Sequence, residues 1–324
     1  LYEISSPAYI NPDVVGHFDT LKIEETSKDR VYVSGCRGST PPPSHKACIN
    51  LAGGFRNGME IILTGLDIEK KAKSFTDTLF KSLGGIDQFD EVSMDLHQTQ
   101  KNNPNSNEEA MASLSLSVKS MDPNVVGRMF SAKIIELSLA SFPGFFAQGG
   151  VKASGPIIVY WPALVDSKHI KEQVYVDGKK IEILPTSQLG LEEKYYQKEP
   201  IDIPEAPKGV TKLVYFGEIY GTRSGDKGGC ANLGVWAKKD MAYSFLYEFL
   251  TVKKLKELLP DLKKFNIDRY DLPNIKSLNF YIHDILQDGI SSNNRKDGQA
   301  KSLGEYLGAK LIDIPNEILE DKLI

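Results

Sequence analysis

The 324-residue chain has little cysteine, no long apolar run and no excess of basic charge, and each shortage removes a class of function. Cys36, Cys48 and Cys230 are an odd number without C-x-x-C spacing, so neither a disulfide framework nor a zinc site is indicated. Buried or half-buried free thiols are the expectation. The longest uncharged apolar stretch, around "SGPIIVYWPALV", falls short of the roughly 20 residues that cross a bilayer, and no membrane span is expected. A formal net charge of -4 leaves no basic patch to make nucleic acid or an anionic membrane the main partner. The five histidines, His17, His45, His97, His169 and His283, show no H-E-x-x-H or related spacing, so no metal site is expected. G-x-S-x-G, G-x-G-x-x-G and Cys/His nucleophile signatures are missing as well, which takes support from hydrolase and Rossmann oxidoreductase readings.

What is present reads as an ordinary globular protein of the cytoplasm or mitochondrial matrix, with 41% hydrophobic and 25% charged residues. The length predicts two domains. A charged, proline-rich stretch, "LGLEEKYYQKEPIDIPEAPKGVT", is read as the linker, with the boundary near Pro207, so that the domains are 1–206 and 207–324. Leu1 stands where a Met would, and the opening has no signal-peptide signature. The expectation is that "YINPDVV" and "HFDT" find their strand neighbours in a removed upstream segment or in another chain.

Apolar alternation predicts two strands, "HKACINLAGG" and "GMEIILTG", meeting at a "GFRNG" turn. A helix follows, capped by Asp67 and stopped by Gly84, then strands "EVSMDLHQ" and "ASLSLSVKS" split by the flexible insert "TQKNNPNSNEEA". A second helix, capped by Asp122 with Pro123 in its first turn, closes the unit. The C-terminal part repeats the order. Strands "KLVYFGEIY" and "CANLGVWAK" are joined by a glycine loop, a long helix capped by Asp240 runs to Pro260, and two more strands and a helix follow. The fold class is therefore α+β: two sandwich-like units of mainly antiparallel strands with helices on one face, the C-terminal one ferredoxin-like. Between them "VYVDGKKIEI" carries a strong hairpin signal at Asp177-Gly178. The aromatic pieces "SFPGFF" and "VYWPALV" read as core or interdomain packing.

The joining loop, "GTRSGDKGG", is not a phosphate-binding P-loop, because Lys227 precedes two glycines and a strand instead of Ser/Thr and a helix. Its backbone N–H groups from Ser224 through Gly225 to Gly228 and Gly229 can still converge on one anion, with Arg223 and Lys227 as charges and Asp226 holding one of them. The alternative is a hairpin whose Asp226 and Arg223 brace each other. Asn232, just beyond, joins the candidate contacts. In "SGCRGS" Arg37 can offer a guanidinium fork to a carboxylate or phosphate, or pair a neighbouring acid. Arg56 and Asn57 in "GGFRNG" are either ligand contacts or hairpin chemistry. If the Arg37, Arg56 and Arg223 loops share a rim, they make an anion funnel. His17 and Asp19, two apart in "VGHFDT", point the same way on a strand and form either an oriented base or a satisfied hydrogen bond.

Taken together and in this order, "LYEISSPAYINPDVV", "VYVSGCRGSTPPPSHKACINLAGGFRNGMEIILTGLDIEKKA", "IELSLASFPGFF", "YWPALV" and "RSGDKGGCANLGVWA" resemble the acyclic terpene utilisation (AtuA) family over nearly the whole chain. The resemblance implies the later part of a larger main domain followed by a small ferredoxin-fold domain. It also implies breakdown of branched, isoprenoid-like acids as coenzyme A thioesters, without supplying the chemical step. One departure is Cys230, where the family usually has a polar residue. Two readings follow. In one, the chain is part of an enzyme, with arginine and glycine segments gripping anions and His17, Asp19 or Asp226 moving a proton in a hydration, dehydration or lyase step. In the other it is a non-catalytic binding or assembly subunit of an acyl-CoA-metabolising complex, a homo- or hetero-oligomer in which its ferredoxin-like domains pack against a partner.

Overall fold

The computed structural model describes residues 4–183 and 200–321; the first part of the charged linker lies outside the described residues. The chain opens with β1 (Ala8–Ile10), β2 (Val15–His17), β3 (Lys22–Ser27), β4 (Arg30–Ser34) and β5 (Arg37–Ser39). β1 pairs antiparallel with β2, and β2 with β5. The strands expected to seek neighbours outside the chain therefore find them in each other and in β5. β3 and β4 form a separate two-stranded sheet. Next come β6 (Ser44–Thr64), α1 (Ile68–Ser82), β7 (Glu91–His97), β8 (Met111–Ser120), α2 (Arg128–Ala140), β9 (Phe145–Gln148) and β10 (Gly155–Asp166). Contacts divide the chain into two compact units, one of residues 50–159 and one of residues 1–49 with 160–324.

In the unit of residues 50–159, β6 is flanked by β8 on one edge and by β9 on the other, and β7 lies beyond β8. The order β-α-β-β-α-β with strands arranged fourth, first, third, second is that of a ferredoxin-like sheet. The expected "GFRNG" turn is absent. Phe55 to Thr64 pair without interruption with Ser120 to Met111, so the glycines lie inside one strand. A continuous ladder satisfies the backbone groups along that edge of the strand, and here it overrides the local turn signal. α2 also starts later than expected. Asp122 Oδ1 accepts the Asn124 N–H at 2.9 Å, closing a short turn, and the helix begins only after Gly127. Asp67 precedes α1 but takes a left-handed conformation with no capping bond, its carboxylate meeting Lys70 at 2.7 Å. The polar insert is not a bare loop: it carries a 3-10 turn, Glu108–Ala110, and a Lys101–Glu109 ion pair at 2.6 Å. The core joins Ile61 and Leu63 of β6, Leu116 and Val118 of β8, and Phe75, Leu79, Phe130 and Ile134 of the helices.

The rest of the chain supplies β11 (Gln173–Val176), β12 (Lys179–Glu182), β13 (Thr211–Tyr215), β14 (Gly221–Lys227), β15 (Cys230–Trp236), α3 (Asp240–Phe249) and α4 (Val252–Leu258). It ends with β16 (Ile267–Leu272), β17 (Ser277–Ile282), α5 (Leu303–Gly308), β18 (Leu311–Pro315) and α6 (Asn316–Asp321). β11 and β12 form the expected hairpin, with Asp177 and Gly178 both at positive φ (+49° and +76°), as a type I′ turn requires. The sheet order is β14-β15-β17-β16, antiparallel throughout, while β13 pairs with β18 as a separate ribbon. The segment read as a glycine loop is thus the strand β14, and the partner of β15 in the hairpin is β14 instead of β13. The long helix is broken. Thr251 Oγ1 accepts the Lys254 N–H at 3.1 Å to start α4, and Arg269 donates to the carbonyls of Tyr247 and Leu250 at 2.9 and 3.1 Å. Asp240 lies inside the first turn of α3, which Lys239 precedes. Leu233, Val235, Phe280 and Ile282 of the sheet pack with Leu246 of α3, Leu255 of α4 and Leu307 of α5 in one core.

Two smaller expectations hold only in part. Cys36, between β4 and β5, and Cys48, on β6, are exposed, and Cys230 is half-buried. Phe145 joins the core ring pair with Phe75 at 4.7 Å, but Trp161 and Leu164 of "VYWPALV" are exposed. Among the described residues no helix is long and apolar enough to cross a membrane. Phe75 is fully buried, so Phe75→Ala is expected to destabilise the unit of residues 50–159 by about 3–5 kcal/mol, read by denaturant unfolding.

Candidate functional site

The chain leaves β2 at His17 and turns at once through a 3-10 segment, Phe18–Thr20. Asp19 is therefore off the strand, and the expected shared face of His17 and Asp19 is not formed. His17 is buried, its Nε2 at 2.7 Å from Ser39 Oγ. Thr20 ties the turn together: its hydroxyl donates to the His17 carbonyl at 2.7 Å and accepts the Arg37 N–H at 3.0 Å. Arg37 stands directly opposite His17 in the β2–β5 ladder. A third support comes from the 3-10 turn Pro273–Ile275 between β16 and β17, where Asn274 Nδ2 donates to the carbonyls of Phe18 and Leu21 at 3.0 and 2.9 Å. Together these strands and turns wall a cavity of about 560 Å³ whose lining includes Asp19, Lys22, Glu24, Arg37 and Asn274. A candidate carboxylate base and a candidate guanidinium fork, chosen separately in the sequence, line the same cavity.

β14 sorts its side chains by alternation. The register sets Arg223 opposite Gly234, Gly225 opposite Asn232 and Lys227 opposite Cys230, so these share the sheet face away from the core residues Leu233 and Val235. Thr222, Ser224 and Asp226 take the other face, toward α5. Ser224 Oγ accepts the Gly304 N–H at 3.1 Å, and Asp226 meets Lys301 at 3.5 Å, where the sequence suggested Arg223 or Lys227. A smaller cavity of about 280 Å³ lies here, lined by Thr222, Arg223, Ser224, Lys301, Gly304 and Glu305. Asn232 is fully buried; its Nδ2 donates to Asn279 Oδ1 at 3.0 Å, and Asn279 Nδ2 donates to the Ile4 carbonyl at 3.2 Å. Farther along this face the Asp284 N–H donates to Cys230 Sγ at 3.5 Å, and His283 meets Asp268 at 2.8 Å. Burial, and then the Cys230 thiol, pushes the Tyr281 hydroxyl above the usual tyrosine range.

The two glycines at the hairpin tip have a packing explanation. Gly228 takes φ +61°, and a Cβ there would stand 2.9 Å from the Tyr160 ring. A Cβ on Gly229 would collide with the Gln287 carbonyl, whose neighbour Leu286 donates its N–H to the Gly229 carbonyl at 2.8 Å. Backbone freedom and close approach thus account for both residues. Gly228→Val is expected to cost about 1–3 kcal/mol from strain alone. Ser224→Ala, which strips a buried N–H of its acceptor, should cost a similar amount, about 1–3 kcal/mol. Thermal and urea unfolding of each variant check both values.

Arg56 and Asn57 belong to the other unit. Asn57 is buried, donating from Nδ2 to the carbonyls of Gly127 and Lys152, both at 3.1 Å, while its Oδ1 accepts the Gly58 N–H at 2.8 Å. Within the unit of residues 1–49 with 160–324, Arg37 and Arg223 line different cavities. Sequence reasoning missed Thr20, although it closes the "VGHFDT" segment, and Asn274, Asn279 and Lys301.

Residues 1–176 match the family model described as acyclic terpene utilisation family protein AtuA. The chain belongs to the AtuA family. Residues 214–313 match the AtuA ferredoxin-like domain, which takes in the whole β14-β15-β17-β16 sheet and α3 to α5 of this AtuA protein. No curated protein and no solved structure matches the chain. The cavity holding Asp19 and Arg37 draws its walls from the AtuA segment and, through Asn274, from the ferredoxin-like domain.

Proposed function

We propose that this AtuA-family chain binds a branched, isoprenoid-type acyl thioester or its free acid in the Asp19–Arg37 cavity. The proposed step there is a proton transfer of a hydration, dehydration or lyase kind. The observation that carries the reading is that Asp19 and Arg37 both line one cavity. A guanidinium offers two parallel donors to a carboxylate, and a carboxylate in the same space can take up a proton. The cavity, at about 560 Å³, lies within the range of about 300–1,000 Å³ usual for small-molecule sites and has room for an acyl end. Arg223 and Lys227 are the proposed contacts for a phosphate of the coenzyme. The family description, with its acyclic terpenes, supports the isoprenoid class.

The test pairs two variants with a branched enoyl-CoA and the corresponding free acid. Arg37→Met is expected to weaken binding of the acid by about 1.5–3 kcal/mol, measured by calorimetry. Asp19→Asn should leave affinity nearly unchanged and lower turnover by about 100-fold or more, followed by loss of enoyl absorbance. Unchanged affinity in a folded Arg37→Met protein would remove the cavity from consideration. A second reading, a binding or assembly subunit of a homo- or hetero-oligomer, is favoured by the exposed apolar residues of the two free-standing hairpins, β3–β4 and β11–β12.

A further inference from the structure

An isolated two-stranded sheet is marginal in water, and the β3–β4 hairpin is one. It nevertheless displays apolar side chains, with Ile23, Val31, Tyr32 and Val33 exposed by 50%, 60%, 58% and 55%. β3 is the strand that approaches the Pro273–Ile275 turn, and β4 is hydrogen-bonded on one edge alone among the described residues. Edge strands normally carry a lysine, a proline or a bulge that discourages pairing. β4, Arg30-Val31-Tyr32-Val33-Ser34, has no charge after Arg30 and no proline, and the register irregularity lies in β3 between Glu25 and Ser27.

The two valines of β4 also stand symmetrically about Tyr32. In an antiparallel pairing centred on Tyr32, Val31 of each copy faces Val33 of the other, Arg30 faces Ser34, and no like charges meet. That is the self-complementarity a two-fold interface demands, since each copy must present the same patch to the other. Because Ile23 is opposite Val33 and Glu25 opposite Val31 within the hairpin, Ile23, Val31 and Val33 share a face. Pairing two hairpins edge to edge would set Val31 and Val33 of both copies side by side at the centre of one face of a four-stranded sheet, with Ile23 and Glu25 of each copy flanking them. We propose that β4 pairs antiparallel with β4 of a second copy of this chain, about a two-fold axis through Tyr32. The proposal is independent of any ligand in the Asp19–Arg37 cavity.

Sedimentation of the full chain over a wide concentration range is expected to show reversible dimerisation. The double variant Val31→Lys, Val33→Lys should raise the dimer dissociation constant at least about tenfold, because like charges then line the edge, while circular dichroism and the melting point stay close to wild type. A second measurement does not rely on that variant. With Cys36, Cys48 and Cys230 replaced by Ser, Tyr32→Cys should form a disulfide-linked dimer under mild oxidation, since directly opposed residues on paired strands lie within disulfide reach. The same change at Leu164, exposed on another strand, should not. A chain that stays monomeric at all concentrations overturns the proposal. So does a dimer indifferent to the double lysine variant, or one that leaves Tyr32→Cys uncrosslinked.

Discussion

Two asparagine amides hold the beginning of the chain against the C-terminal sheet, and the candidate site depends on them. Asn274 donates both of its N–H groups to the turn that carries Asp19, and Asn279 donates to the carbonyl of Ile4 while accepting from Asn232. None of these three bonds to the opening segment is exchangeable for an apolar contact, because each goes to a carbonyl that the segment does not pair in a ladder of its own. Short strands such as β1, β2 and β5, three residues each, have few bonds with which to fix their ends. The amides supply that fixation, and with it the position of one wall of the cavity.

The same arithmetic of backbone satisfaction explains which parts of the fold could be read from the sequence. The Asp177-Gly178 hairpin was legible because its turn demands two residues at positive φ, and that demand is local. β7 and β8 were legible from alternation alone. β6 and β14 were not: their glycines and polar residues look like turns, and only pairing with β8 and β15, distant or unannounced in the sequence, keeps them extended. The break between α3 and α4 hides for a similar reason. Thr251 is an ordinary residue until Arg269, on a strand, takes the carbonyls at the end of α3.

For the site, residue types were legible and their company was not. Arg37 and Asp19 stand out by chemistry, but the bonds that bring them to one cavity run through Thr20, and through Asn274 more than 250 positions away in the chain (Asn274 to Phe18, a separation of 256). The glycine-rich stretch misled in the opposite direction. It is conspicuous in sequence because a tight hairpin tip, the Tyr160 ring and the Gln287 carbonyl all exclude a side chain there. Glycine density reports excluded volume as readily as it reports an anion site.

The two Arg-x-Gly segments show how far a sequence echo carries. Arg56-Asn57-Gly58 and Arg223-Ser224-Gly225 both look like the first hairpin turn of a β-α-β-β-α-β unit, and neither is a turn. Arg56 lies in β6, an interior strand with neighbours on both edges; Arg223 lies in β14, which occupies the edge of its sheet. The difference arises because the C-terminal sheet does not close with its last strand: β18 pairs with β13 instead, and β14, folding back from β15, takes the vacant edge. An edge strand leaves one row of backbone N–H and C=O groups open to a neighbour, whereas an interior strand has both rows engaged; side chains leave by the sheet faces in either case. Any anion contact by Arg223 therefore implies nothing about Arg56, and the resemblance between the two segments is one of composition, not of position.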